Sequence, residues 1–160
     1  MSDDLAAATP FAKRESFMTV DPNRILRLTR RFNASPERVF DAWLNPETAK
    51  KWLFATPADE MYTAELDARV GGRYTITARR AGTDYTGVGE YLEIDRPRRL
   101  VFTFAMPQFA PDIDRIVVEF APDGVGCILT LTQEGLPPDY KEATAEGWGK
   151  MFDMLAAALG

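Results

Sequence analysis

Three polar side chains fall where apolar ones belong. In Arg24–Phe32, Leu26, Leu28, Arg30 and Phe32 share one parity. In Tyr85–Ile94, Glu90 shares a parity with Val88, Leu92 and Ile94, and in Gly126–Glu134, Gln133 follows Cys127, Leu129 and Leu131 at the same spacing. If these stretches are strands, alternate residues share a face. Arg30, Glu90 and Gln133 then turn toward the apolar side, where a charge must be paired or solvated. Two arrangements satisfy that demand. The three groups sit near sheet ends or bulges and reach water, or some of them line a wet cavity and orient the polar part of a ligand. In the second arrangement Glu90 is the leading candidate for an acid, a base or a hydrogen-bond acceptor.

Other chemistry is excluded by composition. The 160 residues include no histidine and one cysteine, Cys127. A Ser-His-Asp triad, a histidine metal site, a thiolate zinc cluster, an iron–sulfur centre and an internal disulfide are thereby ruled out. Cys127 on an apolar parity reads as a small buried hydrophobe. The net charge of −5 argues against a general nucleic-acid binder, which carries a basic excess to displace counterions. Arg24, Arg27, Arg30 and Arg31 form a local basic cluster, read first as a solvated sheet face and second as a site for phosphate or an acidic partner. Gly82, Gly87 and Gly89 lack the strand-to-helix setting of a phosphate loop. No leader peptide or bilayer-spanning stretch is apparent, so the expectation is a soluble, cytoplasmic protein with no metal and no cofactor.

The elements that must position these residues follow from periodicity and turn chemistry. Residues 1–23 lack sustained periodicity and read as an N-terminal extension; residues 24–160 read as a single domain. After the first strand, Ser35-Pro36-Glu37 and Asn45-Pro46-Glu47 each combine a cap, a proline at the first helical position and an early acid. They predict two short helices meeting at a sharp bend, the second running to about Trp52. Six strands are then expected over Glu60–Arg69, Arg73–Arg80, Tyr85–Ile94, Arg99–Met106, Ile113–Phe120 and Gly126–Glu134, separated by glycine and proline turns. Asp139–Leu159 carries Trp148, Met151, Phe152, Leu155 and Leu159 at helical spacing, a long amphipathic helix. The class is α+β: a seven-stranded antiparallel sheet curled around the C-terminal helix, with two short helices between the first and second strands.

Parity then frames a pocket between sheet and helix, provided the bulky surfaces fail to interdigitate fully. Its lining would be Arg30, Trp52, Tyr74, Ile76, Val88, Glu90, Phe102, Phe104, Ile116, Val118, Leu129, Gln133, Trp148, Phe152 and Leu155. The same aromatic stripe also reads as plain core. No residue is assigned to catalysis or to metal binding.

The run Phe32-Asn33-Ala34-Ser35-Pro36-Glu37-Arg38-Val39-Phe40-Asp41-Ala42-Trp43, followed by Asn45-Pro46-Glu47 and Lys51-Trp52, resembles the opening of the SRPBCC superfamily (START and birch-pollen-allergen-like proteins). The branch is the one similar to the C-terminal domain of activators of the ninety-kilodalton heat-shock protein ATPase. Leu66-Asp67-Ala68-Arg69-Val70-Gly71-Gly72-Arg73-Tyr74 resembles that branch's D-x-R-x-G-G-x-aromatic hairpin. Gly89 to Phe104, Leu129 to Thr132 and Glu146-Gly147-Trp148 resemble its later strands and last helix. The resemblance spans about residues 24–160. It implies a helix-grip fold enclosing an apolar cavity, with relatives that bind lipids, hormones or polyketides, some of them cyclases. Many of those relatives carry a histidine where this chain has Gln133.

Three functions are thus carried forward. Binding of a small hydrophobic molecule comes first, interaction with a chaperone second, and a cyclase-, dehydratase- or hydrolase-like enzyme using the same cavity third. A homodimer is left open. The fold is shared by all three and does not choose among them.

Overall fold

Two side-chain caps set the first part of the architecture. In the computed structural model, which describes residues 22–160, Ser35 Oγ accepts a hydrogen bond from the Arg38 backbone N–H at 3.3 Å. Asn45 Oδ1 accepts from Glu47 N–H at 2.9 Å. Each cap satisfies an orphan donor of a first helical turn that opens with proline. The results are α1 (Pro36–Leu44) and α2 (Pro46–Ala49), with Asn45 ending one and starting the other. α1 buries Val39, Phe40, Ala42 and Trp43. Irregular turns, not helix, carry the chain from Lys50 through Phe54. Nearly all of the expected N-terminal extension lies outside the described residues.

The strands are β1 (Ile25–Phe32), β2 (Met61–Leu66), β3 (Arg73–Arg80), β4 (Thr83–Asp95), β5 (Arg99–Phe104), β6 (Asp114–Asp123) and β7 (Gly126–Glu134). They form one seven-stranded sheet in the order β1-β7-β6-β5-β4-β3-β2, every pair antiparallel. β2 to β7 are a meander, and β1 closes beside β7. A single 3₁₀ turn, Pro138–Tyr140, leads into α3 (Lys141–Leu159). α3 buries Trp148, Phe152 and Leu155 against the sheet and α1. Ring contacts tie the layers: Trp43 lies 5.9 Å from Trp148 and Phe32 lies 5.9 Å, edge-on, from Phe152. The architecture is the helix-grip arrangement anticipated from the sequence.

One face assignment is corrected. β4 pairs Tyr74 with Gly89, Ile76 with Gly87 and Ala78 with Tyr85, and directly opposed residues share a face. Gly87, Gly89 and Tyr91 therefore point inward, whereas Val88 and Glu90 point to the outer surface. The register shifts between Tyr91 and Glu93. This bulge reverses the alternation, so Ile94 packs on the core with Tyr91 although the two are three residues apart. Reading the strand as unbroken carried the parity of Ile94 back to Val88 and Glu90. Inward glycines had a steric cause that hydropathy does not record. A Cβ on Gly87 would stand 2.8 Å from the Phe104 ring, and one on Gly89 2.0 Å from the Thr103 carbonyl oxygen.

Candidate functional site

A buried polar chain runs from α3 into the sheet. Trp148 Nε1 donates to Gln133 Oε1 at 2.8 Å, and Gln133 Nε2 donates to Asp114 Oδ2 at 2.6 Å. An indole N–H can only donate. It therefore fixes the Gln133 amide with its oxygen toward α3 and its nitrogen toward Asp114. Asp114 is the first residue of β6 and shares a face with Ile116, Val118 and Phe120. It is 7% exposed. Burial pushes its carboxyl above the ordinary aspartate value, and the Gln133 hydrogen bond opposes that shift. Asp112 adds to the upward push and Arg24 pulls downward. Arg24 itself is held on the backbone, donating to the carbonyls of Leu136 and Gly135.

Asp114, Gln133 and Trp148 end at a cavity of about 550 Å³. Its walls are the N-terminal half of α3 (Ala143, Thr144, Gly147, Trp148, Met151), the Ala105–Asp112 segment after β5, Phe54, and Leu136 with Pro137. A recess of about 210 Å³ adjoins it, sharing Phe54, Phe104, Met106 and Met151 and reaching Ile76, Tyr85 and Gly87. Both volumes border Gly147, where an added Cβ would meet nothing within 4 Å. At the rim Phe109 is 58% and Tyr140 59% exposed, and Phe109 stacks on Tyr85 at 5.4 Å.

One wall is braced by ions. Arg80 Nε donates to Asp59 Oδ1 at 2.6 Å, and Arg80 Nη2 donates to the Phe54 carbonyl at 3.0 Å. Burial raises the Asp59 carboxyl, but the Arg80 and Thr56 hydrogen bonds outweigh it and leave Asp59 below the ordinary value. Phe54 itself adopts a positive φ of 55°, a conformation uncommon for a bulky residue. Its N–H approaches Met151 Sδ at 3.0 Å, and its ring stacks on Phe104 at 4.7 Å. The strained backbone is thus held from both sides, and the ring is presented to the cavity.

Of the residues singled out in the sequence, the cavity and its recess bring together Ile76, Phe104, Gln133 and Trp148. Tyr74 and Phe102 border only a space of about 10 Å³. Trp52, Ile116, Val118, Leu129, Phe152 and Leu155 are packed in the core. Arg30 lies at the sheet–helix edge, paired with Asp153 of α3 at 2.5 Å. Val88 and Glu90 are on the other face, where the Glu90 backbone N–H donates to Thr103 Oγ1. Asp114, Phe54, Arg80, Met106 and Met151 lie outside the expected lining, although Met151 belongs to the apolar stripe expected of the last helix. Asp114 was detectable, because it lies on the same parity that singled out Gln133 on the neighbouring strand. Phe54 and Arg80 carry no such signal, since an irregular turn and a hairpin end place them. Among the described residues no group of three His, Cys, Asp or Glu could hold a metal ion. No helix among them is long and apolar enough to cross a membrane. Cys127 is buried, and that burial pushes its thiol upward.

Comparison with known proteins bears on the whole of this architecture. A family profile described as Activator of Hsp90 ATPase homolog 1-like protein matches residues 33–160. No curated protein matches the chain. Among solved structures the chain is similar to protein CV1439 from Chromobacterium violaceum, with 31% identity over 85% of this chain and 96% of that one, and a TM-score of 0.75. It is similar to Mll3558 from Rhizobium loti at 26% identity, 84% and 95% coverage and a TM-score of 0.69. The fold is shared with NE0264 from Nitrosomonas europaea at 22% identity, 88% and 96% coverage and a TM-score of 0.71. With the profile spanning most of its length and the sheet, helices and cavity in place, the chain belongs to the family of Activator of Hsp90 ATPase homolog 1-like proteins.

Proposed function

We propose that this chain binds a small, largely apolar molecule in the cavity between the end of the sheet and the N-terminal half of α3. The observation that carries the reading is Gly147. A glycine inside a helix costs about 0.5–1 kcal/mol relative to alanine, yet here a Cβ would enter open space bordering both the cavity and its recess. The glycine keeps that volume clear. A space of about 550 Å³ walled by Phe54, Phe104, Trp148 and Met151 falls in the size range of small-molecule sites. Affinity would come from removing apolar ligand surface from water, at about 25 cal/mol per Å².

The test is fluorescence titration with the uncharged probe N-phenylnaphthylamine. The wild-type chain is expected to bind it. Gly147→Leu, which places a side chain in the open volume, should weaken binding about tenfold or more while leaving the thermal midpoint unchanged or raised. Equal affinity for the two proteins would place the probe elsewhere. An absence of wild-type binding would transfer function to the surface, where contact with a chaperone becomes the reading to pursue.

A further inference from the structure

We infer that the cavity selects a ligand carrying a protonated amine on its apolar body, the ammonium group being received by Asp114 Oδ1. This inference rests on the cavity reading above and adds the chemical class of the ligand.

The Trp148 indole locks the Gln133 amide, and the amide donates to Asp114 Oδ2. Among the described residues nothing donates to Oδ1. Asp114 is nevertheless a buried residue, 7% exposed, and forms part of the cavity wall. Oδ1 opens on the cavity, where water can meet it, and a ligand that displaces that water must supply a donor in its place or leave the oxygen without one.

Charge accounting points the same way. Three guanidinium or carboxyl side chains border the cavity: Arg80, Asp112 and Asp114. Asp59 neutralises Arg80, whose guanidinium also serves the Phe54 carbonyl. Arg24, the cation that acts on Asp114, is not part of the wall and is held on the carbonyls of Gly135 and Leu136. Two carboxyl groups therefore remain facing an otherwise apolar space. An anionic headgroup would be repelled there, and a neutral hydrocarbon would leave Oδ1 unmet. An ammonium group supplies both the charge and the donor, and aromatic faces such as Trp148 add cation–π attraction.

Calorimetric titration of the full chain with naphthylethylamine and with naphthylethanol separates these possibilities, since the two differ only in ammonium against hydroxyl. The amine is expected to bind about tenfold or more tightly. Asp114→Asn should erase that preference while keeping the alcohol's affinity within about twofold, which also reports an intact cavity. Asparagine can still accept from Gln133, so the wall retains its internal bond. Equal wild-type affinities overturn the amine inference and leave the cavity reading standing. So does an amine preference that survives Asp114→Asn. Failure of both probes to bind the wild-type chain overturns the two readings together.

Discussion

Asp114 couples the cavity to the stability of the folded chain. Its carboxyl is raised in the folded state by burial, so the folded chain keeps a proton that the unfolded chain has released. From the ordinary value of 3.8 up to the higher folded value, its contribution to stability falls as pH rises. The groups facing it are Gln133 from β7, Asp112 from the segment before β6 and Arg24 from the turn before β1. Asp59 has the opposite sign: its folded value is lowered, so its stabilisation is present above the ordinary value and lost as pH falls through the folded one. Asp114→Asn should therefore gain stability relative to the wild type as the pH rises above about 4, until the folded carboxyl has also ionised. Urea denaturation at several pH values measures this, and parallel curves for the two proteins would contradict it. Trp148→Phe should cost about 1–3 kcal/mol from the orphaned Gln133 oxygen, beyond any packing loss, in the same denaturation assay. At this scale the sequence was partly legible. Gln133 was visible as a polar residue on an apolar strand face. Asp114 obeyed the same rule but lay at a strand end, where the parity of Ile116, Val118 and Phe120 was not carried one step further. Glu90 was misplaced because the residues truly facing inward, Gly87 and Gly89, have no side chains to announce it.

Elements divide into those that build the core and those that leave room. α3 does both. Its C-terminal half buries Phe152 and Leu155, and its N-terminal half presents Gly147 to the cavity. Gly147→Ala should raise stability by about 0.5–1 kcal/mol, because the helix gains propensity and the new methyl meets nothing within 4 Å. Thermal or chemical denaturation reads this, and a loss of stability would mean that the backbone there needs glycine for another reason. Leu155→Ala, in contrast, should cost about 2–5 kcal/mol, since the side chain is fully buried. Helix and strand identities were legible from period and from caps such as Ser35 and Asn45. The bulge in β4 and the left-handed turn at Phe54 were not, since both arise from contacts distant in sequence. Those two features decide which side chains reach the cavity.

Across the whole molecule, solidity is unevenly distributed. The sheet order puts β5 at the centre with β6 and β4 beside it, and Leu100, Ile116, Val118, Leu129 and Leu131 are buried on these strands and β7. The layers between sheet and helix are filled there, which is why most of the expected lining is core and the open volume lies at one end. That end is closed by a segment without regular pairing, residues 106–113, and by the Pro138–Tyr140 turn. Backbone amides paired between central strands open only with large-scale unfolding, whereas segments with few buried contacts open locally. Hydrogen exchange should therefore be slowest at residues such as Val118 and Leu131, and faster by orders of magnitude across residues 108–110. A ligand seated in the cavity binds the closed rim in preference to the opened one. It should slow exchange at the rim segment and along the Ala143–Gly147 stretch of α3, with a change in the central strands only as large as the gain in global stability. Protection appearing instead on the outer face of β3 and β4, around Thr75 and Glu90, would locate the binding surface on the opposite side of the sheet.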